Sequence, residues 1–275
     1  MHSCMRRVSR EPASAPRRVD NNRVMTTFER TDEFAGATFV RAGFKDATFR
    51  FCDLSGVRMS GGDVAGLDID SHDLFFGSLF VNGVDVVPFV QAELNRQFPG
   101  RELQEARTPE GLREGWEAAQ EAWRTTVAQT PDALRDAHVD DEWSLSQTLR
   151  HLVLATDAWL LAGVHRRPDP FHEIGQFFTG AEQMGVVPAR MREPRDFDEV
   201  LVVRGERQQL VTDFLATVTQ TQLDEPRDDP WDRDGDWKPT VGDCIRTILE
   251  EEWAHLRYIR RDLARLDEAT DERAG

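Results

Sequence analysis

The sequence predicts two unlike units in tandem: a short repeat module in the first third, then a bundle of four long helices. Three observations predict it. From Phe34 to Val84 a large apolar residue recurs at every fifth position, eleven times without a gap. After residue 107, four helix-capping signals each open a stretch of apolar residues at helical spacing. Between those stretches there is no alternating pattern of the kind that marks a strand, so the helices have only one another to pack against.

At 275 residues the chain is long enough for one good core and a smaller unit. Its formal net charge is −16, which argues against a general nucleic-acid or anionic-membrane binder. The charge is uneven: residues 1–24 carry six Arg against Glu11 and Asp20, so the remainder is more acidic than the total suggests. No run of about eighteen apolar residues exists to span a membrane. The beginning is Arg-rich and lacks the apolar stretch of a signal peptide. Residues 1–27 therefore read as a disordered basic arm, with Met25 an alternative start to Met1. Cys4, Cys52 and Cys244 are far apart and form no CxxC, so neither a disulfide framework nor a cysteine zinc site is indicated. The cytoplasm is the expected location.

The repeat is the first element. Its large residues are Phe34, Phe39, Phe44, Phe49, Leu54, Met59, Val64, Ile69, Leu74, Leu79 and Val84. Two places before several of them sits a small residue, as at Ala37, Ala42, Ala47, Cys52, Gly62 and Gly77. A period of five fits neither a helix nor a flat strand, so it marks an internal repeat. FAGATF, FKDATF and FCDLSGV resemble the pentapeptide-repeat family. That resemblance implies a right-handed quadrilateral β-helix over residues 28–88, making the whole an α plus β-solenoid chain. Leu67 and His72 depart from the small-residue preference. With stacked strands roughly 4.8 Å apart, under three coils would be only about 13 Å tall. Residues 59–88 hold five Asp and no Lys or Arg, but a stack this short presents little of the duplex face that acidic family members mimic. A docking or dimerising role, including a homodimer, is the favoured expectation. VPFVQAELNRQFPG then reads as a short capping helix from Pro88, and Pro99, Gly100 and the polar run to Thr108 as the linker, together residues 89–107.

The bundle is expected over 108–268, with 269–275 a disordered tail. Its first helix begins at Thr108-Pro109, an N-cap followed by Pro at the first helical position, and runs to about Gln129. Trp116 and Trp123 lie seven apart on one face. The second opens with the Ser144–Gln147 capping box and runs to about Val164, its core face being Leu145, Leu149, Leu152, Trp159 and Leu160. The third starts near Asp196, paired with Glu199, and extends to about Leu223. The fourth opens with Thr240 and Asp243 and runs to Leu266, with Val241, Ile245, Ile248, Leu256, Ile259, Leu263 and Leu266 as its apolar face. Two long connections, 165–195 and 224–239, are of a length that is functional or disordered in compact domains. PFHEIGQFF is too aromatic for a disordered linker and should fold over the end of the bundle.

Glu251 and His255 sit on or beside the fourth helix's apolar face, one turn apart. A buried carboxylate and imidazole need partners, and a metal ion satisfies both. Glu250 and Glu252 leave the choice of carboxylate open, because Glu252 also projects toward the apolar face. His151, on the second helix, is surrounded by Thr148, Ala155, Ala158 and Ala162, which leave room beside the imidazole. Two His and one carboxylate suit zinc with an open position, with nickel and iron(II) as alternatives.

EWSLSQTLRHLVLATDAWL followed by EEEWAHLRYIRRDL resembles the DinB superfamily over roughly Thr108–Leu266, especially its thiol-dependent transferase branch. In the similar mycothiol-dependent maleylpyruvate isomerases the paired ligands on the fourth helix begin with Glu. The resemblance therefore implies His151, Glu251 and His255 as metal ligands, not Glu250 or Glu252. It leaves the reaction open, since similar proteins include several thiol transferases and members without a known activity; the leading expectation is a metal-dependent transferase joining a low-molecular-weight thiol of the mycothiol type to an electrophilic small molecule through a metal-bound thiolate. It does not name the electrophile. His172, Trp159 and Tyr258 are candidates for the substrate pocket, with His172 also open to being a fourth ligand or an ordinary loop histidine. The alternative is a non-catalytic interaction protein, in which a metal only ties two helices together and the repeat module binds a partner.

Overall fold

The computed structural model describes residues 27–28, 31, 33–50, 52–71, 74–140, 142–178, 192–194, 196–231 and 236–274. The basic arm up to residue 26, Cys4, His72 and Pro188 lie outside these residues. The chain divides into two compact units after Leu67.

In the first unit the repeat appears as turns. The Ala37, Ala47, Val57 and Leu67 amides each donate to the carbonyl three residues back, at 3.0 Å, so a β-turn recurs every two pentapeptides. The third residue of each turn has positive φ: Gly36, Asp46, Gly56 and Gly66, at 63° to 78°. That is the pattern of a type II turn, where glycine is the residue without a steric penalty. Phe34, Phe39, Phe44 and Phe49 touch in succession, with ring centroids 5.2–6.2 Å apart. They stay about half exposed. Among the described residues this unit has no strand and no ladder between coils, so the β-helix stays an expectation from the repeat.

The second unit begins at Asp68. The period of five does not carry through its first residues. Leu74–Phe76 is a 3-10 turn, and Phe80–Val81 (β1) pairs antiparallel with Val84–Asp85 (β2). Asn82 and Gly83, both with positive φ, form the tight turn between them. Asn-Gly is the strongest short hairpin signal, and here it overrides the repeat. Helix α1, Val87–Gln97, follows as expected from Pro88.

The segment read as a linker is packed structure. Arg101–Glu105 is a 3-10 helix that packs on the next helix, with Arg101 and Gln104 buried. Arg101 donates to Gln91 at 2.8 Å and Asn95 at 2.6 Å, and its guanidinium lies over Phe75. Gly100 makes this possible. Its φ is +91°, and a Cβ there would meet the Ala118 Cβ at 2.6 Å. Polar composition suggested a solvated linker, but these polar groups find partners inside the unit.

Four long helices make the bundle: α2 (Pro109–Gln129), α3 (Leu145–Thr156), α4 (Phe197–Thr217) and, after the short α5 (Gln220–Leu223), α6 (Val241–Ala274). Each long helix starts where its cap places it. Thr108 accepts from the Gly111 amide, Ser144 and Gln147 form a full capping box, Asp196 accepts from the Glu199 amide, and Thr240 and Asp243 cap each other. Lengths differ more than starts. The third helix breaks after Thr217 because Thr219 and Gln222 form a capping box of their own and begin α5. The last helix runs on to Ala274, beyond Leu266. The second changes to a π-helix over Asp157–Val164. All eight residues there are buried, so no polar stripe imposes the ordinary helical period and packing decides.

Two apolar clusters fill the bundle. One joins Trp116, Trp159, Leu215, Ile245 and Ile248; the other joins Trp123, Leu149, Leu152, Trp253 and Leu256. The loop after the π segment returns to the bundle as expected, burying Ile174 and Phe177 and setting Phe171 against Trp231. Asp157 anchors it. This fully buried carboxylate accepts from the His172 amide at 2.7 Å and from Arg207 of α4 at 2.7 Å. Burial raises its pKa despite those partners.

Candidate metal centre

The second core cluster is interrupted on one side by polar groups. The α3 capping box starts the helix at Leu145, and two turns later His151 faces α6. On α6, Glu251 and His255 follow one another by a turn, flanking the fully apolar line of Ile248, Trp253, Leu256 and Ile259. The result is one cluster. His151 Nε2 lies 3.4 Å and His255 Nε2 3.1 Å from the same oxygen, Glu251 Oε2. One donor atom from each of the three residues lies within 4.8 Å of the others.

Protonation follows from the surroundings. His151 Nδ1 is 3.0 Å from the Gln176 carbonyl, which can only accept, so Nδ1 carries the hydrogen. A neutral His151 ring then turns its Nε2 lone pair toward a carboxylate oxygen. Two electron-rich atoms facing each other call for a cation between them, as in the arrangement in which a ligand histidine donates its other nitrogen to a carbonyl. His255 is held below the ordinary imidazole pKa, chiefly by burial, although Glu251 opposes the shift. It is therefore neutral at neutral pH. For Glu251 burial works to raise the pKa, but the two imidazoles beside it outweigh burial and hold the group below the usual carboxylate range. The trio offers one negative charge and imidazole lone pairs, a donor set that fits a divalent cation.

The neighbouring carboxylates behave differently. Glu252 is buried in the bundle centre and ion-paired with Arg204 of α4, which is equally buried. Burial raises its pKa, with Arg204 opposing. Glu250 is pushed up to about 6 by burial and by the charge of Glu251. Neither joins the cluster; Glu251, His151 and His255 do.

Aromatic rings wall the centre. Trp143 lies 4.7 Å from His151 and stacks on His255 at 5.8 Å and 16° between planes. Tyr258, a sequence candidate, also meets His255, edge-on at 5.7 Å. Trp159 instead belongs to the apolar cluster with Trp116, its ring edge against Trp237. His172 is not among the gathered donor atoms. Its Nδ1 accepts from the Ile174 amide, and it borders a cavity of about 390 Å³ with Arg192 and Glu199. His138 and His165 are also elsewhere, one against the Glu142 carbonyl and one edge-on to Phe214.

Sequence reading did not find Trp143, Arg204 or the Gln176 carbonyl. Trp143 had a signal: it precedes the Ser144 N-cap, the position from which an apolar side chain folds back over the first turns of a helix. Arg204 and Gln176 had none, since one acts from another helix and the other through its backbone.

No curated protein and no solved structure matches the chain. A family profile described as DinB superfamily matches residues 112–259, more than half of the 275. The match runs from the first turn of α2 to just past His255 and so contains the three gathered donors. Members of this superfamily are typically metal-binding helical proteins, and the chain belongs to it.

Proposed function

We propose that the protein is a divalent-metal-dependent transferase that joins a low-molecular-weight thiol to an electrophilic small molecule. One observation carries this reading. Among the described residues only three His, Cys, Asp or Glu donors are gathered, which leaves coordination positions for a co-substrate rather than closing the site with a fourth protein ligand. His151, Glu251 and His255 would hold the cation, with zinc the first choice and nickel or iron(II) the alternatives. Bound there, a divalent cation stabilises the anionic form of a thiol sulfur and so supplies a nucleophile at neutral pH.

The chain's own residues do the rest. Gln176 fixes the His151 ring through Nδ1, and Trp143 and Tyr258 both contact the His255 ring. The loop carrying Phe171 and Phe177 packs on Leu154, one turn of α3 beyond His151, and its Gln176 carbonyl reaches the centre. In the transfer, the sulfur–carbon bond forms as the leaving group departs with its electron pair, and the thiol proton passes to solvent.

The direct assay offers a haloalkane or bimane electrophile with mycothiol, bacillithiol and glutathione in parallel, with and without metal. Conjugation above the metal-free background with one thiol is the expected result. If no thiol is conjugated, and thiol addition leaves the cobalt-substituted spectrum unchanged, the reading gives way to a non-catalytic scaffold. The repeat unit serves in either case as a docking or dimerising module of the pentapeptide type. Its unbroken period and its turns at every second pentapeptide support that role, and the cytoplasm is the proposed location.

A further inference from the structure

Just past His255, two arginines of α6 converge on a single carboxylate. Arg257 Nη2 donates to one oxygen of Asp70 at 2.8 Å and Arg261 Nη1 to the other at 2.6 Å. Tyr258 lies beneath both, with the guanidinium carbons 4.4 and 5.4 Å from its ring centroid. The same ring touches His255. We propose that Arg257, Arg261 and Tyr258 form a carboxylate-recognition site at the edge of the metal centre, filled here by Asp70 and taken by the carboxylate of a co-substrate when Asp70 leaves.

Charge supports the assignment. Arg261 also donates to Asp262, at 2.7 and 3.0 Å, and the charge of Glu142 acts on it, while Arg101 adds positive charge beside Arg257, so two guanidinium groups still face the place that Asp70 leaves. In a chain of net charge −16, such a point attracts an anion. Two guanidinium groups, one on each oxygen, also recognise the planar shape of a carboxylate and not merely its charge.

Asp70 is suited to leaving. It lies three residues past the division between the two units, in a stretch where Asp68 and Asp70 are exposed and Ile69 is 53% exposed. Little apolar surface keeps this stretch in place. Its pairs with Arg257 and Arg261 are themselves a quarter to a third exposed, so solvent screens them. Asp70 thus acts as a weak internal competitor, whose advantage is that it is tethered.

The site rests on the transferase reading for its purpose, but its test does not require turnover. Tyr258 is the only tyrosine of the chain, so 3-fluorotyrosine labelling of the full-length protein gives one fluorine resonance located between the two arginines and His255. Succinate should move this resonance and succinamide should not. Asp70→Asn, which removes the competitor at an exposed position, should tighten succinate binding about fivefold. Arg257→Gln should abolish the response in either background. A second arm uses 4-methylbenzoate and S-methylglutathione, stand-ins for the electrophile and the thiol; the one tightened more by Asp70→Asn identifies which co-substrate brings the carboxylate. An unmoved resonance in Asp70→Asn, or an equal response in Arg257→Gln, would overturn the site. Tight succinate binding with no binding of either stand-in would overturn its assignment to the co-substrates. Conjugation that fails while succinate binds as expected would count against the transferase reading alone.

Discussion

Glu251 and Glu252 are neighbours in sequence, lie about 100° apart around α6, and meet opposite fates. Glu252 points into the bundle centre, where Arg204 supplies a full positive charge and the pair is neutral without any ligand. Glu251 points to the seam with α3, where among the described residues it meets two imidazoles, one of them kept neutral by burial. One cluster has its charge balanced within the protein, although Glu252 Oε2 and two Arg204 nitrogens there have no hydrogen-bond partner among the described residues; the other is a negative charge short of a cation. The difference teaches that a buried carboxylate says little by itself. What matters is whether the partner carries the compensating charge or only lone pairs.

The strongest way to break this comparison is to remove the built-in cation. Arg204→Met leaves Glu252 buried without its partner and should destabilise the fold by about 3–5 kcal/mol in urea unfolding. Adding Glu252→Gln to that variant should recover most of the loss, because no charge is then left uncompensated. A cost below about 1 kcal/mol would mean that Glu252 finds other compensation. Loss of metal from folded Arg204→Met would show that the two clusters are not separate.

The metal comes next. Purified protein should hold about one divalent ion per chain, and at free metal a thousandfold above its Kd the fold should gain about 4 kcal/mol that a chelator removes. His151→Ala and His255→Ala should abolish both the ion and the gain, and Glu251→Gln should weaken them, since an amide oxygen is neutral. Glu252→Gln should leave the stoichiometry unchanged. Metal analysis showing the reverse for the two glutamates would exchange their roles.

The smallest effect sharpens the comparison instead of breaking it. Only the Glu251 cluster has an aromatic ring stacked across its imidazoles. Trp143→Ala should weaken metal binding by about 1 kcal/mol, roughly five- to tenfold, the size of one aromatic contact. Trp143→Phe should recover much of it. Competition against a chelating dye measures both, and an unchanged affinity in Trp143→Ala would reduce the ring to a surface contact.

How much of this was legible beforehand follows from the range of the forces involved. Thr108, Ser144, Asp196 and Thr240 begin their helices where the sequence says, because a cap bonds to an amide two or three residues away. The one-turn spacing of Glu251 and His255 likewise puts them on one side of α6 in any packing. Helix ends are less legible, as at Thr217, where a second capping box competes; the end near Val164 holds, although the turns from Asp157 onward are π-helical. The stretch after Pro99 reads as a linker from its polar composition, but Arg101 is held by Gln91 and Asn95 and the stretch packs on the next helix, none of which a local composition reveals.

The sequence by itself thus determined where the long helices begin, which residues could serve as ligands, and that the first third carries a repeat. The tertiary structure decided which glutamate joins the histidines, by bringing Arg204 from 48 positions away to Glu252 and His151 from α3 to Glu251. It also decided the wall and the tautomer, through Trp143 and the Gln176 carbonyl. The reason is physical. Caps and helical spacing are set by the backbone within a few residues, whereas the fate of a buried charge depends on what the other helices place opposite it.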